Sequence, residues 1–253
     1  MTTSITPQFT SSTTLISALK TTGYAVLHPK SAMALLGCTF NDVSQWQSSW
    51  NDLPPDTYLK DGGHYRRRRH SCFVVAGSQV TQTAHRTHWQ PVEYNALHGG
   101  MQRLFEPMVD AVAQSQDWST MLSQLGQSCT ALKPQTQTWY VEAHQFRIDT
   151  TDGIGRPTPE GAHRDGVDLV AVILIARENI KGGETRVFDI DGPAGQRFTM
   201  TEPWTMLLLD DERVIHESTP IQPMVGSVSG TNSNSSYRDT LVLTFRANNF
   251  QGD

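Results

Sequence analysis

Cysteine is scarce in this chain: only Cys38, Cys72 and Cys129 occur, scattered and odd in number. They make neither a disulfide framework nor a thiolate metal site, which suits a reducing cytoplasm. Long apolar runs are missing, so no membrane span is expected. Basic charge is in short supply too. The 20 Lys+Arg are outnumbered by 25 Asp+Glu, for a net charge of −5. That balance argues against nucleic acid or an anionic membrane as a general partner. The opening MTTSITPQFTSSTT has no basic start and no apolar core, so no secretory signal is expected. No internal repeat is found. What remains is ordinary: 253 residues, 37% hydrophobic and 18% charged, enough for one sizeable core.

Along the chain, residues 1–13 are Ser/Thr-rich and expected to be disordered. Ser12 or Thr13 can cap a short helix carrying Leu15, Ile16 and Leu19, with Gly23 as its stop. Tyr24 to Leu27 reads as a strand. Helical stretches follow near 31–37 and 41–52, the second ended by Pro54-Pro55. The segment 61–80 holds Gly62-Gly63 and the run Arg66-Arg67-Arg68-Arg69. That run reads as a solvated segment or as cover for an anionic site. Residues 98–126 read as helix, with Leu104, Met108, Val112, Met121 and Leu125 apolar.

From Trp139 the pattern changes to short apolar or alternating runs separated by Gly, Pro, Asn and Ser clusters. Strands at this spacing predict a sandwich or small barrel. Residues 226–236, GSVSGTNSNSS, read as a mobile loop. No linker divides the helical first half from the β-rich second half, so residues 14–253 are taken as a single domain. The fold class is α+β, mainly β.

Chemistry enters with His163, Asp165 and His216, in AHRDGVDLVAVILI and LLLDDERVIHESTP. Residues i and i+2 of a strand point the same way, about 6.6 Å apart, so His163 and Asp165 aim at one point while Arg164 faces away. A distal histidine on a neighbouring strand completes two imidazoles and one carboxylate. That is the facial triad of non-haem Fe(II) oxygenases. An H-x-D triplet also arises by chance, and a histidine on an apolar run is more often a hydrogen-bonded core residue. The strand context and the distal His216 favour the metal. A rival set, His85-x-x-His88 with His98, lies in a polar stretch without periodicity.

Iron enzymes of this kind often use 2-oxoglutarate, whose far carboxylate needs a buried cation. Arginine's planar fork suits it. Arg238 opens the last strand-like run, SYRDTLVLTFR, in which Arg238, Thr240, Val242, Thr244 and Arg246 share one face. That face is expected to look into the barrel, with Arg238 and Thr240 on the cosubstrate. Asp239, Leu241, Leu243 and Phe245 are expected to pack on helices. Gln145 and Arg147 share a face of VEAHQFRI and either reach a substrate carboxylate or line a polar rim.

Five strings in order, HQFR, HRDGVDLVAVILI, GGET, VIHESTPI and YRDTLVLTF, are similar to those of a known family. They resemble the bacterial 2-oxoglutarate/Fe(II) dioxygenases that include L-isoleucine hydroxylases, over about residues 139–247. The resemblance implies a double-stranded β-helix (a jelly-roll, cupin-like barrel) over that span with packed N-terminal helices. It implies Fe(II) at His163, Asp165 and His216, and a 2-oxoglutarate clamp at Arg238. Members of known activity look like hydroxylases of free aliphatic L-amino acids, and others are described as biofilm- or stress-related. This chain departs from the hydroxylases in its N-terminal half and in a polar insertion between His216 and Arg238. The expected function is a cytoplasmic 2-oxoglutarate-dependent dioxygenase using O2 to hydroxylate a small molecule, a free amino acid. The rivals are the same chemistry on a nucleic acid or protein side chain, and a non-catalytic metal- or ligand-binding protein.

Overall fold

The computed structural model describes residues 5–224 and 236–253. Five α-helices are described: α1 (Leu15–Thr22), α2 (Pro29–Leu36), α3 (Phe40–Ser44), α4 (Asp110–Ala113) and α5 (Gln116–Leu132). The strands are β1 (Tyr24–Leu27), β2 (Arg66–Ala76), β3 (Gln79–Gln82), β4 (Thr138–Asp149), β5 (Leu169–Glu178) and β6 (Ile180–Gly182). They continue with β7 (Thr185–Asp189), β8 (Gly195–Phe198), β9 (Met206–Asp210), β10 (Val214–Ser218), β11 (Ile221–Pro223) and β12 (Tyr237–Ala247). A seven-stranded antiparallel sheet runs β1-β9-β5-β12-β4-β2-β3. Smaller sheets, β10-β7-β8 and β11-β6, lie opposite it. This is the expected jelly-roll.

Two cores explain the layering. Helices α1, α2 and α5 cover one face of the large sheet through Leu19, Leu36, Trp118, Leu125, Leu243 and Phe245, all buried. The other face meets the small sheet through Val170, Leu174, Leu209, Val187, Phe198 and Val214. Strand β12 divides its side chains as its alternation demands. Leu241, Leu243 and Phe245 enter the helix-side core, and Arg238, Thr240, Val242 and Thr244 face the space between the sheets.

Several sequence expectations are corrected. Residues 12–14 form a 3-10 turn, and neither Ser12 nor Thr13 caps α1. Gly23 does stop it, at φ 77, with its N–H on the Leu19 carbonyl. The stretch 41–52 is α3 with a Thr39/Asp42 capping box, followed by a 3-10 turn at Gln47–Trp50. The helix read over 98–126 starts only at Asp110. Before it residues 98–100 complete a turn closed by the Gly99 N–H on the Asn95 carbonyl, and the chain then runs without helix because Arg103 bridges His88 and Glu106 accepts from the His70 N–H. Of the segment expected to be disordered, residues 5–13 are tied down: Ile5 accepts from Thr199 N–H and Thr10 donates to Val26. Residues 1–4 of it, and 226–235 of the loop read as mobile, lie outside the described residues. The arginine run is no solvated segment. It is the start of β2, paired along its length with β4, with Arg66 and Arg68 buried. No described helix is long and apolar enough to cross a membrane.

Candidate metal centre and active-site cavity

His163 lies in the loop before β5, and a two-way backbone bridge ties it to His216 on β10 (3.0 and 2.9 Å). The chain then turns at Gly166, whose φ is +77. A Cβ there would stand 2.4 Å from the Tyr94 ring, so the turn requires glycine. The buried Asp211 carboxylate accepts from the N–H groups of Asp165, Gly166 and Val167 at 3.1, 2.7 and 3.1 Å. Asp211 thereby holds the loop that carries Asp165.

The three predicted ligands converge. Their donor atoms lie within 4.8 Å of one another. Asp165 is 3.9 Å from His163 Nε2 and 3.8 Å from His216 Nε2. His163 Nδ1 donates to the Gly161 carbonyl at 3.0 Å, which leaves the Nε2 lone pair facing Asp165. Burial pushes the Asp165 carboxyl up, and burial with the neighbouring His163 holds the His216 imidazole well down. Glu160 adds an unpartnered buried Oε2 nearby, 3.6 Å from His163 Nε2 for its other oxygen. Lone pairs and a carboxylate crowded in a buried space are the donor set a divalent cation satisfies.

Arg238 lines the same cavity and is only 4% exposed. Its Nη2 has no hydrogen-bond partner, and no carboxylate pairs with it among the described residues. Burial, with Arg177 beside it, lowers the guanidinium to about 10. The β5 register slips beside Asp239 and Thr240, which places Arg177 opposite Arg238. A buried cation without an acid is suited to a ligand's carboxylate, and Thr240 sits on the same face.

Gln145 and Arg147 do not reach this cavity. On β4 the residues facing it are Glu142, His144, Phe146 and Ile148, so 145 and 147 point the opposite way. Arg147 makes a bidentate pair with Asp239 at 2.8 and 2.7 Å and stacks over Tyr237. Gln145 donates to Ser49 Oγ at 2.7 Å. The substrate role read for them is withdrawn.

The far end of the cavity was not foreseen. It is lined by Arg68, His88, Gln90, Arg103, Glu142 and His144. Alternation offered a signal: Arg66, Arg68 and His70 share one face of β2, and Glu142 and His144 share one face of β4. His88 and Arg103 come from the loop at 84–107, for which no periodicity exists. Of the rival metal set, His88 enters the cavity, His85 is exposed, and His98 accepts from Lys60 N–H. Gln90 links the two ends. Its Oε1 accepts from Arg103 (3.0 Å) and Asn95 (3.2 Å), and its Nε2 donates to Asp165 Oδ1 at 3.2 Å.

Residues 47–244 match the family model described as 2OG-Fe dioxygenase. The chain belongs to the 2OG-Fe dioxygenase family. Members use Fe(II) and 2-oxoglutarate, and this protein is an oxygenase of that type. A bsmA homolog from Methylobium petroleophilum is 48% identical, with a TM-score of 0.90 over 98% of this chain and 97% of that one. IDO from Bacillus thuringiensis shares the fold at 16% identity, with a TM-score of 0.70 over 92% of this chain and 98% of that one. TqaL, an Fe(II)/(alpha)ketoglutarate-dependent dioxygenase, does so at 20% identity, with a TM-score of 0.68 over 95% and 88%. No curated protein matches the chain in sequence.

Proposed function

We propose that this dioxygenase hydroxylates a small acid, a free amino acid, with His163, Asp165 and His216 as the iron ligands. Arg238 and Thr240 take the far carboxylate of 2-oxoglutarate. The observation that carries the reading is the convergence of the three ligands and the unpaired Arg238 on one cavity. Bound Fe(II) with 2-oxoglutarate supplies the oxidising chemistry. The chain's share is geometry. Asp211 holds the Asp165 loop, the Gly161 carbonyl orients His163, and Arg238 orients the cosubstrate.

Arg103 is the partner for the substrate's acid. It is buried, its Nε is unpartnered, and it has no carboxylate partner among the described residues. Arg66 and Arg68, by contrast, already share Asp56. The cavity measures about 960 Å³ including its mouth. That is the scale of small-molecule sites. A macromolecular substrate called for a basic face built from 66–69. Instead Arg66 and Arg68 are buried, and Arg67 and Arg69 sit against Asp149 and Glu106.

The test is succinate release by the Fe(II)-loaded protein across the twenty L-amino acids and small carboxylic acids. Stimulation above the uncoupled rate, lost on Arg103→Met with its KM effect exceeding that on 2-oxoglutarate, supports the reading. Stimulation only by a peptide or oligonucleotide overturns it.

A further inference from the structure

One buried constellation has no part in holding iron or 2-oxoglutarate. Glu142, His70, His88 and His144 place one donor atom each within 4.8 Å of one another, all four buried. Such a set invites a second metal. The hydrogen bonds point elsewhere. Arginine has donors only, so Arg68 Nη2, 2.7 Å from His144 Nδ1, makes that nitrogen an acceptor. A neutral His144 then carries its proton on Nε2, the nitrogen facing Glu142 at 3.8 Å. That nitrogen has no lone pair for a cation, and the adjacent Arg68 charge repels one.

Glu142 is instead a shared acceptor. Its Oε2 lies 2.9 Å from His70 Nε2 and 2.5 Å from His88 Nδ1. Burial works to raise this carboxyl, yet the imidazole donors more than offset it and hold it well below the usual range. An ionised carboxylate only accepts, so both imidazole nitrogens donate. Burial also keeps His88 neutral, pushing its imidazole down to about 4. With its proton on Nδ1, His88 keeps a lone pair on Nε2. His88 lines the cavity, and its Nε2 meets no hydrogen-bond partner among the described residues.

We infer that His88 Nε2 is the acceptor for an N–H or O–H donor of the substrate, with Glu142 as the positioning residue that fixes the tautomer. This rests on the small-molecule reading of the cavity. It also narrows the substrate class. His88 and Arg103 are opposite partners in an antiparallel bridge, exchanging backbone hydrogen bonds of 2.9 and 3.0 Å. Such partners lie about 5.5 Å apart at Cα with side chains on one face. An acid on Arg103 and a donor on His88 are therefore a few bonds apart, as in a 2-amino or 2-hydroxy acid.

Two measurements test it. In the full chain loaded with Zn(II) and 2-oxoglutarate, nitrogen-15 NMR at pH 7 should find His88 protonated at Nδ1 and bare at Nε2. Glu142→Gln should relax that preference. A proton on Nε2, or an imidazolium, overturns the inference. The second is succinate release by the Fe(II) enzyme with the twenty L-amino acids and their deaminated acids as probes. His88→Leu should raise KM for the best amino acid about ten- to a hundredfold, since a substrate donor is left unpaired. His88→Gln, which keeps an acceptor, should recover part of it. The deaminated acid, lacking the donor, should show a much smaller KM change between wild type and His88→Leu than the amino acid does. An amino-acid KM unmoved in His88→Leu overturns the inference. If no probe stimulates wild type, the free amino-acid reading fails by itself, and the NMR result still decides the state of His88.

Discussion

The two ends of the cavity are built in opposite ways. The end with His163, Asp165, His216 and Arg238 draws on short continuous strings: the loop before β5, the middle of β10 and the start of β12. Its side chains are few, and its buried guanidinium is unpaired. The other end draws on alternate residues of β2 and β4 and on the loop at 84–107. Its charged side chains are already tied together: Arg66 and Arg68 to Asp56, His70 and His88 to Glu142, Arg103 to Gln90. A site for a cation and an invariant cosubstrate needs a few atoms at fixed spacing. A site for a selected substrate needs a preformed polar wall, largely tied together before ligand arrives but with a few groups, such as Arg103 Nε, left without a partner.

The contrast is broken most sharply at the metal. His163→Ala or Asp165→Ala should take Fe(II) from one per chain to near none by elemental analysis, with the fold retained. His70→Ala, at the other end, should leave metal content unchanged. Loss of metal there would merge the two ends into one site. Next in size, Arg238→Ala should weaken 2-oxoglutarate about ten- to a hundredfold in calorimetry. Arg238→Lys should recover only part of that, because the bidentate fork is lost. An unchanged affinity would move the cosubstrate to the Arg103 end.

Arg147 lies outside both ends and should behave as a stability residue. Arg147→Ala leaves Asp239 buried without its cation, at a cost of about 2–3 kcal/mol in denaturant melts. The deficit has a pH signature. Burial raises the Asp239 carboxyl to about 6 even beside Arg147. A carboxyl raised on folding contributes stability at low pH that is lost as pH climbs through the folded value. The deficit of Arg147→Ala should thus be smaller at pH 5 than at pH 7. A raised substrate KM with normal stability would return Arg147 to the cavity. The smallest effect is expected at the link between the ends. Gln90→Leu removes a hydrogen bond to Asp165, and metal affinity should fall about tenfold. No change would make the two ends energetically independent.

What could be read from sequence follows the range of the interactions. The H-x-D triplet and its distal histidine were legible, as was the division of β12 into a polar and an apolar face, because period-2 alternation is local. The same alternation was legible in Arg66-x-Arg68 but was overridden by composition. Four consecutive arginines read as solvated until β4 paired with them, His144 accepted from Arg68 and Asp56 closed the charge on Arg66 and Arg68. The face of Arg147 was misassigned for a related reason. Gln145 and Arg147 alternate correctly, but the string does not say which face is inside, and only the packing of β4 between β2 and β12 decides it. Residues 98–107 had a helix-like apolar spacing, and the bridge from Arg103 to His88 prevailed over it.

By itself, then, the sequence determined the two faces of β12 and the three candidate metal ligands, since period-2 alternation is local, while the jelly-roll came with the family resemblance and its strand pairings join distant residues. The tertiary structure decided the far wall of the cavity. Its groups are held by mutual hydrogen bonds and charge across separations of 10 to 76 residues, and no periodic pattern in the chain pairs them.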